Sequence, residues 1–83
     1  MYTVVIVRSA QKELARLPAA DYQRVLAAIE TLATTPRPVG CVKLTGSEFW
    51  RIRVGQYRVV YAIKDTELIV TVVKVGNRRD VYR

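Results

Sequence analysis

No histidine occurs anywhere in the 83 residues, cysteine occurs once, at Cys41, and seven acidic residues stand against fourteen basic ones. Each scarcity excludes something. Without an imidazole, the Ser-His-Asp and Cys-His routes to nucleophilic catalysis are closed, and any chemistry must use other side chains. With one thiol and no histidine there is no ligand set for zinc, so no metal and no cofactor are expected. A lone cysteine cannot close an internal disulfide, which fits a reducing cytoplasm. Cys41 itself reads as a small buried hydrophobe. No apolar run approaches the length of about 20 residues that spans a bilayer, and Met1 leads straight into a strand pattern without a signal-peptide layout. The expectation is a cytoplasmic protein with no membrane association.

What is present fits one compact unit. The chain is 51% hydrophobic and 25% charged, without internal repeats, low-complexity stretches or linkers, and reads as a single domain over 1–83. A domain this small buries only about 60% of its unfolded surface, which leaves little room for a deep enclosed pocket. The formal charge is +7, and it is unevenly placed: residues 1–42 carry a net +2 and residues 43–83 a net +5. Positive charge concentrated in the second half points to a polyanionic partner.

The first half has helical periodicity. Thr3 to Val7 is a β-branched apolar run, read as a buried strand. Ser9 is placed to cap a short helix over about 10–17, in which Ala10, Leu14 and Leu17 recur at helical spacing before Pro18. Tyr22, Val25, Leu26, Ile29 and Leu32 then share one face of a second helix, stopped by Pro36 and Pro38. The two should form an antiparallel hairpin laid on a sheet.

From Gly40 onward the period is two. Cys41–Thr45, Glu48–Val54, Tyr57–Lys64 and Glu67–Val75 read as four strands joined at Gly46-Ser47, Gly55-Gln56 and Asp65-Thr66. The architecture is therefore α+β: an N-terminal strand, a two-helix hairpin, and a four-stranded antiparallel meander. Gly46, Gly55 and Gly76 read as turn residues.

The Gly55-Gln56 turn fixes a register. If Gly55 supplies the positive φ of a type II′ turn, Val54 lies opposite Tyr57 and Arg53 opposite Arg58. Trp50, Ile52, Val54, Tyr57, Val59, Tyr61 and Ile63 then share an apolar face for the helices, while Arg51, Arg53 and Arg58 share the other. Extended through Asp65-Thr66, the same count places Tyr57 opposite Lys74 and sends Arg78 and Arg79 out at the arginine-rich end. Opposed like charges destabilise a sheet. Two readings explain them: arginines lacing an exposed face for solubility, their stems covering neighbours such as Val60, or guanidinium forks gathered for a phosphodiester or an acidic chain. Tyr82, four residues beyond Arg78, either docks the C-terminus or returns its hydroxyl to that cluster.

Lys43-Leu44-Thr45-Gly46, Trp50 through Tyr61, and Val75-Gly76-Asn77-Arg78-Arg79-Asp80-Val81-Tyr82-Arg83 strongly resemble the RelE branch of the RelE/ParE toxin superfamily. The resemblance extends over the whole chain. It implies a helical pair on a twisted antiparallel sheet, and a toxin of a toxin-antitoxin pair. RelE-type members enter the ribosomal A site and cleave messenger RNA without metal; ParE-type members inhibit DNA gyrase. Carried over position by position, it implies catalytic roles for Arg51, Arg53, Arg58, Arg78 and Tyr82, and substrate contacts for Lys43, Arg79 and Arg83. The best-known RelE enzymes have lysines where this chain has Arg51 and Arg53. The implied partners are an acidic RelB-like antitoxin, the ribosome with its messenger RNA, and operator DNA through the antitoxin complex alone. The alternatives are a ParE-like gyrase inhibitor and a degenerate toxin that only binds.

Overall fold

A computed structural model describes residues 1–77 of the chain. Its elements are β1 (Thr3–Ile6), α1 (Arg8–Ala15), α2 (Ala19–Thr31), β2 (Val42–Lys43), β3 (Phe49–Val54), β4 (Tyr57–Lys64) and β5 (Ile69–Asn77). The helices lie on one face of the sheet, α1 along β5 and α2 over β3 and β4. The α+β order is as expected. Some boundaries differ: α1 begins at Arg8 with Val7 as its N-cap, so Ser9 is inside the helix and no side chain caps it. The second helix starts directly after Pro18, whose fixed φ suits a helix entrance, and Asp21 sits in its first turn, where a negative charge is favoured.

The sheet order is β1-β5-β4-β3-β2. The meander from β2 to β5 is antiparallel, but β1 joins the far edge parallel to β5, with Thr3 beside Ile69 and Ile6 beside Val72. The sheet is therefore mixed rather than strictly antiparallel. Strand direction at that edge depends on how the chain returns after the helices, and a run such as Thr3–Ile6 carries no local mark of it.

The β3–β4 hairpin has the expected register, with Val54 opposite Tyr57 and Arg53 opposite Arg58. Gly55 has φ 60, and Leu68 is the sole non-glycine residue with positive φ among those described, so the turn enters through glycine as a type II′ turn does. The next register does not follow the expected count. Lys64 pairs with Ile69 across a four-residue loop, and a bulge between Val60 and Tyr61 on the β5 side puts Lys74 opposite Val60 and Asn77, not Lys74, opposite Tyr57. The displacement at Tyr57 is odd, so Lys74 moves from the helix side of the sheet to the arginine side. Gly76 is a strand residue opposite Arg58, not a turn residue.

The core lies between the helices and the apolar face of the sheet. Ala10, Leu14, Val25, Ile29 and Leu32 from the helical layer meet Ile52, Tyr57, Val59, Tyr61, Val70, Val72 and Val75. Trp50, Val54 and Ile63 are half-buried at its margin. Full burial of a side chain such as Ile29 contributes roughly 1.5–3 kcal/mol. Tyr61 is wholly buried and its hydroxyl donates to the Pro36 carbonyl at 2.7 Å, so the polar end of the ring enters the core with its bond made. No helix among the described residues is long and apolar enough to cross a membrane.

Candidate functional site

Three strands place the central residues of the site. Arg53 on β3, Arg58 on β4 and Gly76 on β5 form one cross-strand row, because Arg53 pairs with Arg58 and Arg58 with Gly76. The next row on the same face is Arg51, Val60 and Lys74. Strand alternation makes these six positions one patch, and the two-residue turn at Gly55 fixes where it ends. Val60 is 7% exposed although it lies on the side away from the helices, as long basic side chains around it would produce. Arg53 is exposed; Arg51 and Arg58 are half-buried, and the Arg58 Nε is itself buried. A guanidinium with a buried root has less freedom to turn away, which favours a fixed donor geometry. Glycine opposite it leaves the place of a side chain empty, and such strand glycines admit the close approach of a ligand or a second backbone.

A second layer supports the same end from the helix side. The Tyr57 hydroxyl donates to Asp21 at 3.0 Å, and Arg24 bonds the other oxygen of that carboxylate. Arg24, with Tyr57 assisting, holds the Asp21 carboxyl below the usual carboxylate range. The Arg24 guanidinium lies against the turn, 3.3 Å from where a Cβ on Gly55 would stand. Gly55 is thus required twice, by its φ and by this close approach. On β5, Glu13 of α1 accepts from the Val75 N–H and from the Lys74 ammonium, both at 3.0 Å.

The structure brings together Arg51, Arg53 and Arg58 as the register implied. Lys43 is elsewhere: it pairs with Trp50, on the side opposite the arginines. Arg78, Arg79, Tyr82 and Arg83 lie outside the described residues, and Asn77, from which the chain continues toward them, is opposite Tyr57 at the Gly55 end. Sequence reasoning missed Lys74, Arg24 and Glu13. Lys74 was misplaced by the β5 register; Arg24 and Glu13 are charged residues within helices, and no local signal sets them apart.

A groove of about 610 Å³ opens at the edge of β3, between Ala28 and Thr31 of α2, the loop Pro38–Gly40, and Arg51 to Arg53. It exists because β2 is short: among the described residues it pairs only with Trp50 and Arg51, leaving the edge of β3 beyond Arg51 without a strand neighbour on that side. Val39 at its rim is fully exposed.

The chain matches, over residues 4–82, the family described as ParE toxin of type II toxin-antitoxin system, parDE. It is 33% identical over 90 residues to toxin RelG of Mycobacterium tuberculosis, covering 99% of this chain and 97% of that protein. The toxin in the archaeal RelE–RelB complex of Pyrococcus horikoshii superposes with a TM-score of 0.84 at 30% identity, over 96% of this chain and 98% of that one. The isolated E. coli RelE toxin superposes with a TM-score of 0.81 at 26% identity, over 99% of this chain and 92% of that one.

Proposed function

The chain belongs to the RelE/ParE toxin family of type II toxin-antitoxin systems, and from that premise we propose that it is a ribosome-dependent endoribonuclease that cleaves messenger RNA in the ribosomal A site and is neutralised by an acidic antitoxin. The observation that carries this reading is the row Arg53, Arg58 and Gly76, two opposed guanidinium groups beside a position without a side chain. A guanidinium fork matches the oxygens of a phosphodiester, and two opposed forks can seat one between them.

In the proposed reaction a ribose 2′-oxygen forms a bond to the adjacent phosphorus and the bond from phosphorus to the 5′-oxygen breaks. The pentacoordinate transition state gains negative charge on its equatorial oxygens. Arg58 and Arg53 donate hydrogen bonds that strengthen as that charge develops, which lowers the barrier rather than merely holding substrate. Tyr82, the base that the family resemblance implies, takes the proton of the 2′-hydroxyl as its phenolate; a phenol ordinarily loses its proton near about pH 10. Arg78 donates a hydrogen bond to the leaving 5′-oxygen, which is protonated from water as it departs. Arg51 positions the backbone, with Arg79 and Arg83 as further phosphate contacts, and Lys43, on the other side of the sheet, holds a more distant stretch of RNA. A patch this open orients flexible RNA poorly alone, so the ribosome supplies the alignment.

The antitoxin reading rests on charge and on the solved relative. The relative from Pyrococcus horikoshii is a RelE–RelB complex, and a chain of +7 calls for an acidic partner. An extended acidic segment suits the groove beside the open edge of β3, with backbone bonds to the strand and carboxylates on Arg51 and Arg53. Operator binding would follow through that complex.

A second reading is kept because the matching family description names ParE: a non-nucleolytic inhibitor of DNA gyrase. Primer extension on translated message, run beside a gyrase supercoiling assay, separates the two. The RNase reading expects new 5′ ends within codons of translated message, little cleavage of naked RNA, and unimpeded supercoiling. Tyr82→Phe should lower the cleavage sharply. Supercoiling inhibited with the message intact would overturn it.

A further inference from the structure

β5 outruns its neighbour. β1 stops beside Val72, with a last bond from the Val7 N–H to the Val72 carbonyl at 3.0 Å, so among the described residues the stretch from Lys74 to Asn77 is paired with β4 alone. A groove of about 290 Å³ runs along this exposed edge, bounded by Glu13, Arg16, Lys74, Gly76 and Asn77. Into it α1 sends one carboxylate. Glu13 Oε1 accepts from the Val75 N–H and Oε2 from the Lys74 ammonium, each at 3.0 Å, and the side chain is 26% exposed. A backbone N–H at a strand edge that would otherwise face the groove is thereby bonded to a charged acceptor, a stronger bond than one between neutral groups. The contact also crosses the edge of the sheet. Glu13 belongs to the helix layer, whereas Lys74 shares by register the face that carries Arg51 and Arg58.

The next residue after Val75 is Gly76, opposite Arg58, and then Asn77, from which the chain continues to Arg78. We propose that Glu13 is a positioning residue for the arginine face: by holding the Val75 N–H and the Lys74 ammonium together it fixes the free end of β5, and with it the spacing between Gly76 and Arg58 where the phosphodiester is to sit. This rests on the ribonuclease reading for its functional consequence, while the clamp itself can be measured without any activity. Displacement of a reacting group by an ångström costs about a hundredfold in rate, so a contact that touches no substrate can still set the rate.

Glu13→Gln retains an oxygen that can accept from Val75 N–H but loses the charge that holds Lys74; Glu13→Ala loses both. Lys74→Met leaves the backbone bond intact. Each variant is first checked for folding by its thermal transition, then assayed in single turnover on ribosomes programmed with a message, reading the maximal rate and the half-saturating toxin concentration separately. Amide exchange of Val75 and Gly76 is followed on the same proteins. The expected result is a maximal rate lower by about tenfold to a hundredfold in Glu13→Ala with an unchanged or lower half-saturating concentration, since Lys74 is released to attract RNA. Glu13→Gln should recover to within about threefold of the parent, and Val75 should keep its exchange protection in Glu13→Gln and Lys74→Met but lose it in Glu13→Ala. A merely structural contact would lower the melting temperature and leave both kinetic parameters of the folded fraction alone, which overturns the proposal. Unchanged protection at Val75 in Glu13→Ala overturns it as well. If the parent protein itself cuts nothing on programmed ribosomes, the ribonuclease reading has failed, and the exchange of Val75 then decides whether the clamp exists.

Discussion

The two ends of the sheet use arginine in opposite ways. At the β4–β5 loop, Arg37 is paired: it forks onto the Asp65 carboxylate at 2.9 and 3.2 Å, lies 5.0 Å from the centre of the Trp50 ring, and shares Asp65 with the Tyr2 hydroxyl. Opposite charges and an aromatic face tie the chain before β2 to the loop after β4, and the Arg37 bond is the main cause that holds Asp65 below its ordinary range. At the Gly55 end, Arg53 faces Arg58 directly across a strand pair, with Lys74 one row away on Glu13 and Arg24 over the turn on Asp21. There, like charges are held close by the fold. The contrast separates an end that ties two segments of the chain together from one that gathers positive charge at one place.

That contrast can be broken most strongly by reversing a charge. Arg53→Glu should lower cleavage of translated message by about a hundredfold or more, yet change stability by no more than about 0.5 kcal/mol, as substitutions at exposed positions usually do. Urea denaturation beside primer extension reads both effects. A variant that loses stability and activity together would show that the Gly55 end is structural after all.

Next in size is Tyr61→Phe, which removes the bond to the Pro36 carbonyl from the interior. About 1 kcal/mol should be lost, equivalent to a fall of about 4–8 °C in the thermal midpoint, with cleavage unaltered where the protein is folded.

The pH dependence should show the two kinds of anchoring. Asp65 and Asp21 have carboxyls held low in the folded state, Asp65 first by Arg37 and Asp21 first by Arg24. Their contribution is present above the ordinary carboxylate value of about 3.9 and is lost as pH falls through the lower folded values. Tyr61, raised first by burial and then by Cys41 beside it, and Tyr2, raised first by its bond to Asp65, behave oppositely. Folding favours their protonated forms, so their contribution is complete below about pH 10 and is lost as pH rises further. The urea midpoint should therefore decline at both extremes, and Asp65→Asn should flatten part of the acid limb.

The smallest effect belongs to Leu68, whose φ of 55 places a branched side chain in the left-handed region at the end of the β4–β5 loop. Leu68→Gly relieves that strain and adds freedom to the unfolded chain, so the two nearly cancel and the net change should stay within about 1 kcal/mol by denaturation.

The same residue explains where the sequence could be read and where it could not. The β3–β4 hairpin was legible because Gly55 declares the turn, and from it followed both the arginine row and the apolar face that buries Val59 and Tyr61. The β4–β5 turn hides its length: Asp65-Thr66 looks like a two-residue turn, but the loop runs on to Leu68, which carries none of the glycine or asparagine marks of a positive φ. The extra residue at the β5 bulge is equally silent among the valines 72, 73 and 75. These two features moved Lys74 to the arginine face and made Gly76 a strand residue. Glu13 was illegible for another reason. Its partners are 61 and 62 positions away, and a glutamate on the polar side of a short helix is ordinarily solvated.

Arg58 is the residue through which the Gly55 end is proposed to act on a phosphodiester. Single-turnover cleavage on programmed ribosomes by Arg58→Ala, with ribosome binding measured in the same samples, tests it most directly. The expected rate is lower by about a hundredfold or more while binding persists, as loss of a donor to the transition state requires. A rate equal to the parent's at saturation, or a loss explained wholly by weaker binding, would contradict it.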